Sequence, residues 1–266
     1  MIDIEGFIDY MIGEELSKQT RKSYTYALRD FAEMFDDVSK QNIVKWKQNM
    51  MSDKSPKTVN LRLAAMKKYC EYKSLIPDVK RVKIQKTVYI EDVLTVDEYN
   101  RIIDGLVRNG DKRHAIMVVL LAKTGARISE ILRFRKKDLL NDYIDLNTKG
   151  KVRRIYFPAR MKKQLMEWTA DMTDDEFVCQ NRFRERISPK GVNDFLKSCA
   201  EKYDIPERHL HAHAFRHMFA IEFLKRNNNI SLLADLLGHS GVNTTMIYLR
   251  MSEQQQKEEI DKAVDW

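Results

Sequence analysis

Apolar residues recur at helical spacing from the start of the chain. Ile4, Phe7, Ile8 and Met11 share one face, and Tyr24, Leu28, Phe31 and Phe35 share another. Two segments open with the same signal: Ser17-Lys18-Gln19-Thr20 before one periodic run and Ser55-Pro56-Lys57-Thr58 before the next. In each, the serine side chain can accept from a free N–H of the first turn, and Pro56 sits where a missing N–H costs nothing. Between them the pattern predicts a helix at about 40–51. Residues 1–78 therefore read as a four-helix unit.

The pattern breaks at PDVKRVKIQKTVYIED, rich in lysine and β-branched residues, which predicts an extended basic linker over 79–93. Helical spacing returns at Leu94, where Thr95 and Glu98 make a capping-box pair. The stretch HAIMVVLLAK (114–123) is apolar on nearly every side, as a buried helix is, and Gly125 stops it. From Tyr143 to Phe157 the period changes to two, predicting two strands around a turn at Thr148-Lys149-Gly150, closed by Pro158. Helical patterns follow at about 159–170, 189–202, 212–226, 231–237 and 244–249, then a polar helix at 253–264. The expected fold class is mainly α with a small antiparallel β-sheet, in two domains, 1–78 and 94–266.

Composition narrows the partners. Lys and Arg number 47 against 39 Asp and Glu, a net charge of +8, which favours an anionic polymer because neutralised phosphates release counterions. An apolar fraction of 43% describes a globular chain, not a disordered one. Cys70, Cys179 and Cys199 are far apart and form no CxxC pair, so neither a zinc ribbon nor a disulfide framework is indicated, and a reducing compartment fits. No stretch approaches the length of an uninterrupted apolar membrane span, and the acidic start is unlike a secretory signal. A soluble cytoplasmic protein is expected.

The candidate chemistry is a dispersed basic set ending in a tyrosine: Arg127 in TGARISE, Lys149 in TKGKVRR, His213 and Arg216 in HAFR, His239 in LLGHS, and Tyr248 in NTTMIYLR. A tyrosine can attack a phosphodiester without metal if fixed cationic donors hold the charge that develops on the non-bridging oxygens. Arginine suits that task because its planar fork can hold two phosphate oxygens. Arg127 is expected at the start of a helix ISEILRF, with Glu130 three residues on as its fixing partner. His213 shares a helical face with Arg216. A lysine at a hairpin tip could protonate a leaving 5′-oxygen; Lys149 is the candidate, and Lys151 is close enough to take its place. His213 and His217 lie four apart but lack the Glu of HExxH, so no metal is expected, and His209, His211 and His217 read as surface or packing histidines.

These motifs, in this order and spacing, closely resemble the tyrosine recombinase (phage integrase, Xer-like) family, strongly over 120–250 and loosely over the N-terminal helices. The resemblance implies a SAM-like core-binding domain followed by a catalytic domain. It further implies Tyr248 as nucleophile, His213 and His239 on the scissile phosphate, and His213 as a candidate to accept the tyrosine proton. Thr20, Arg21, Thr58, Asn60, Arg62, Lys67 and Lys68 are expected near DNA phosphates. Two departures are local, Ala212 where a proline is frequent and Met218 where a small residue is usual. No arm-binding domain is seen, which implies a simple recombinase. The implied partner is double-stranded DNA with inverted-repeat core sites, met by a tetramer assembled from monomers in the nucleoid. A tail striped by Ile260, Ala263 and Val264 would dock between protomers. No cofactor and no membrane are implied. A type IB topoisomerase and a catalytically silent DNA-binding regulator are the alternative readings.

Overall fold

The computed structural model describes residues 2–76, 79–84, 93–148, 151–239, 241–249, 261 and 264. The chain divides into two compact units, Met1–Lys86 and Thr87–Trp266.

Four helices build the first unit: α1 (Ile4–Gly13), α2 (Lys18–Ala32), α3 (Lys40–Met51) and α4 (Pro56–Tyr72). Each starts where a short polar side chain, Asp3, Ser17, Ser39 or Ser55, accepts from an N–H of the first turn. Their apolar faces meet around Phe7, Phe31, Trp46, Val59, Met66 and Tyr69. Phe31 packs edge-on against Trp46, and Phe7 against Tyr69, the arrangement aromatic quadrupoles favour. Asp30 of α2 joins the other two long helices, accepting from Trp46 Nε1 at 2.8 Å and from the buried Arg62 guanidinium at 2.6 Å.

Residues 79–84, expected as the opening of a free linker, lie against this unit. The Asn60 side chain donates to Val82 O at 2.9 Å and accepts from Val82 N at 2.8 Å, while Lys47 donates to Lys80 O at 2.7 Å. A carboxamide offers the donor–acceptor pair of a peptide group, so Asn60 binds Val82 as a neighbouring strand would. Val79 and Val82 pack on the core.

The second unit is organised around α6 (Lys112–Thr124), whose residues 115–122 are all buried. The amphipathic α5 (Val96–Arg108) starts at the expected capping box of Thr95 and Glu98 and packs on α6. After Gly125 the chain forms a single turn, α7 (Ile128–Ile131), shorter than the helix expected over ISEILRF. It stops because the next backbone is claimed elsewhere: Val178 N–H donates to Phe134 O, and Lys136 N–H to Glu176 O. Strands β1 (Tyr143–Thr148) and β2 (Lys151–Tyr156) form the antiparallel pair, with Leu146 opposite Arg153. Helices α8 (Ala159–Trp168), α9 (Pro189–Lys202) and α10 (Ala212–Arg226) complete the main core. Beyond them α11 (Ile230–Leu237), α12 (Val242–Thr245) and a 3₁₀ turn (Met246–Leu249) form a satellite core in which Leu224, Leu233, Leu237 and Tyr248 are buried. The expected helix at 244–249 is thus two short turns. The tail helix expected at 253–264 lies outside the described residues, apart from 261 and 264.

Asp30→Ala leaves Arg62 and Trp46 Nε1 without their acceptor, and is expected to cost about 2 kcal/mol. Denaturant unfolding of the whole chain measures it; an unchanged midpoint would show that Asp30 does not hold the bundle.

Candidate active site

Two glycines set the geometry. Gly125 ends α6 and Gly238 ends α11, both in the left-handed region, at φ 59° and 61°. No other residue reaches that conformation as cheaply. A side chain is also excluded at both: a Cβ on Gly125 would meet the Phe219 ring at 2.5 Å, and one on Gly238 would meet Arg153 Cδ at 2.4 Å.

The carbonyls that these ends expose are taken up by three arginines, each from a different element. Arg153 of β2 donates to Leu236 O at 2.9 and 2.6 Å, Arg216 of α10 to Leu237 O at 2.5 Å, and Arg127 to Gly238 O at 3.2 Å. Arg216 also reaches Gly125 O at 2.7 Å, and Arg153 the same carbonyl at 3.3 Å. Three successive carbonyls at the negative end of α11 therefore each hold one guanidinium. Arg216 is 1% exposed and Arg153 is 7% exposed, whereas the Arg127 side chain is half open to a cleft of about 1020 Å³ that Arg133, Asn147, Tyr156 and His239 also line.

The carboxylate bonded to this cluster is Glu130. It accepts from Arg127 N–H at 2.7 Å, from the Arg127 guanidinium at 3.0 Å, and from Arg153. Burial alone would push the Glu130 carboxyl up, but the Arg127 N–H and the Arg153 charge outweigh it and hold it below the usual carboxylate range. Arg216 has no such partner. Burial and the neighbouring Arg153 and Arg127 push it down to about 10, and its Nε is buried without a hydrogen-bond partner.

Tyr248 is 8% exposed, and its hydroxyl lies 3.0 Å from His217 Nδ1. Burial raises the phenol above its ordinary value, and Arg216 draws it partly back. The ring of His217 stands edge-on to that of His213, with centroids 4.4 Å apart. His239 Nδ1 is 2.7 Å from Thr245 Oγ1, and Thr245 is fully buried. Burial, then the surrounding cations, pull His217 and His239 down to about 4 and lower His213 as well.

A tyrosine gathered with arginines and histidines onto two helix ends is equipment for phosphoryl transfer without a metal. Comparison with known proteins shows the family. The profile of the phage integrase family matches residues 92–255, and that of its N-terminal SAM-like domain matches residues 4–74. The chain belongs to the phage integrase family. Among relatives, the tyrosine recombinase XerA of Pyrococcus furiosus is 30% identical over 273 residues, 98% of this chain and 93% of that protein. The crystal structure of XerA recombinase aligns over 98% of this chain and 97% of its own, at 22% identity and a TM-score of 0.56. XerH site-specific recombinase, bound to its difH substrate in a pre-cleavage complex, aligns over 90% and 78% at 18% identity and a TM-score of 0.71. At these identities the two structures show the shared fold.

Within this integrase fold Arg127, Arg216, His239 and Tyr248 meet around the ends of α6 and α11, and His213 joins them through His217. Lys149 lies outside the described residues, as do the side chain of Lys151 and most of the tail. In the first unit Arg62 is buried against Asp30 and Tyr26, Asn60 holds Val82, and Lys68 pairs with Glu14 and Glu71. Thr20 and Thr58 touch the serines that cap their helices, and Lys67 is exposed. Three positions at this site escaped the sequence reading. His217 was expected to be an ordinary packing histidine and instead contacts the Tyr248 hydroxyl. Thr245 orients His239. Arg153 carries no role in the sequence reading, although its alternation with Ile155 puts it on the inward face of β2. His211, expected as a surface or packing residue, is exposed and caps α10 by accepting from Ala214 N–H at 3.0 Å.

Glu130→Gln is expected to cost roughly 3 kcal/mol at pH 7, because Arg153 loses a buried counter-charge. The folded carboxyl titrates lower than the unfolded one, so its stabilisation is present above about pH 4.3 and is lost as pH falls through the folded value. Denaturant unfolding from pH 7 to 3 should therefore show a shallower acid loss in the variant; identical slopes would contradict this role.

Proposed function

We propose that this integrase is a site-specific DNA recombinase in which Tyr248 attacks the scissile phosphate. The tyrosine oxygen bonds to phosphorus, the bond to the 5′-oxygen breaks, and that oxygen leaves with a proton as a 5′-hydroxyl. The product is a 3′-phosphotyrosyl ester. It keeps the energy of the broken bond, so a hydroxyl from a partner strand can reverse the step on a new phosphate without ATP. Two such exchanges pass through a four-way junction.

The observation that supports this reading is a site in which three guanidiniums meet one bonded carboxylate, Glu130, among the described residues, and backbone carbonyls do the rest of the holding. Arg216 and Arg153 are clamped, Arg127 faces the cleft, and Glu130 offsets only part of their charge, so a phosphate entering there meets a net positive site. The orphan Nε of Arg216 is a further buried donor suited to a phosphate oxygen. With the Thr245 hydroxyl donating to Nδ1, His239 carries its proton on Nε2, the tautomer that can donate to phosphate. His213, exposed at the start of α10, is a second donor to the same group. Lys149, with Lys151 as the alternative, supplies the leaving-group proton.

In this reading the core-binding domain (1–78) grips the DNA backbone, with Thr20, Arg21, Thr58 and Lys67 better placed to do so than Asn60, Arg62 and Lys68, which hold protein partners. The linker begins later than 79, and the catalytic domain runs from about 94. Inverted-repeat core sites are bound by a tetramer assembled from monomers, with tail exchange between protomers, in the nucleoid.

On a nicked suicide substrate a covalent adduct should form with the wild type and be absent in Tyr248→Phe. Arg127→Ala or Arg216→Ala should cut cleavage by about 10²- to 10³-fold while DNA affinity changes little. Equal losses of both, or an adduct in Tyr248→Phe, would refute the reading. Removing the tail should leave single-site binding intact and abolish cooperative assembly on paired sites; unchanged cooperativity in a gel-shift titration would refute tail exchange.

A further inference from the structure

We propose that His217 is the residue that takes the proton from Tyr248 during strand cleavage, a role resting on Tyr248 as the nucleophile. Its Nδ1 is the hydrogen-bond partner of the Tyr248 hydroxyl, at 3.0 Å, and it follows Arg216 directly on α10. His213, the other candidate for that proton, contacts the ring of His217 and has no hydrogen bond to the phenol among the described residues.

The groups around the imidazole favour a free lone pair. His213, His211 and Arg216 face it from α10 and its start, and His239 faces it from beyond α11. Together with burial they keep the ring neutral at neutral pH, titrating near 4. With Nε2 carrying the ring hydrogen, Nδ1 accepts from the phenol. Transfer before attack is uphill, because burial raises the phenol and lowers the imidazole. The balance reverses as the tyrosine oxygen gives an electron pair to phosphorus, because an aryl phosphate oxygen holds a proton far more weakly than a phenolate does. A bound phosphate also makes the imidazole more basic. The proton therefore moves as the O–P bond forms and the P–O5′ bond breaks, leaving His217 as imidazolium beside the phosphotyrosine. In the reverse step it returns that proton to the departing tyrosine.

Two nicked suicide substrates test this, one with an ordinary scissile phosphate and one with sulfur replacing the bridging 5′-oxygen. Sulfur leaves without a proton but does nothing for the attacking tyrosine. His217→Ala should cleave both substrates about 10²- to 10⁴-fold more slowly than wild type, with DNA affinity unchanged. His217→Asn should be similarly slow, since its amide can hold the phenol in place yet cannot take its proton. A His217→Asn enzyme that cleaves at the wild-type rate, or a His217→Ala enzyme restored by the sulfur substrate, overturns the assignment. A measurement that leaves His217 intact covers the case of variants that do not fold. In ¹⁵N-histidine spectra at pH 7, the Nδ1 signal of His217 should be that of an unprotonated acceptor and should move in Tyr248→Phe; a protonated ring or an unmoved signal overturns it. Wild-type adduct that vanishes in Tyr248→Phe but persists in His217→Asn sinks this role alone, whereas adduct in Tyr248→Phe sinks the recombinase reading beneath it.

Discussion

The structure depends on how positive charge is held while being only partly cancelled. Among the described residues Arg127 and Arg153 share one bonded carboxylate, Glu130, Arg216 bonds none, and all three rest on backbone carbonyls at the ends of α6 and α11. A carbonyl satisfies an N–H and orients it, but unlike a carboxylate it removes none of the charge. Holding a guanidinium this way is costly in the resting protein, as the lowered titration of Arg216 and the neutral state of the nearby histidines show. In the proposed mechanism the same cost is relieved when a phosphate supplies an anion. The free enzyme and the transition state would then be related by one electrostatic deficit, and the fold of the second unit would be largely a frame that maintains it.

That frame explains why glycines occur where they do. Left-handed ends at Gly125 and Gly238 turn the last carbonyls of two helices toward a common space, and the absence of a Cβ leaves room for Phe219 and for the stem of Arg153. The chemistry sits beside the helices' ends, where backbone polarity is exposed, and the helices' interiors supply the rigidity.

What could be read beforehand follows from the range of the interactions involved. Serine caps, the Thr95–Glu98 box, the all-apolar α6 and the period-two hairpin are local, and each was visible in a few consecutive residues. The motif residues were visible through resemblance. Contacts made across the fold were not. Asn60 and Arg62 both look like neighbours of DNA phosphates until Val82 folds back on the one and Asp30 is brought beneath the other. His217 gained its meaning from a tyrosine 31 residues away, held by a 3₁₀ turn that no periodicity announces. Arg153 was legible in principle, since strand alternation places it inward, but a run of basic residues at a hairpin masks such a signal.

The row of carbonyls from Leu236 to Gly238 also acts as a ruler. Adjacent positions on a helix differ by about 100° in direction, so one extra residue within α11 would swing the row away from β2, α10 and the Arg127 loop at once. His239, the next residue along, would move with it. Length and phase in this short helix are therefore more tightly constrained than the identity of its outward side chains, and sequence drift should be tolerated on that outer face long before an insertion is.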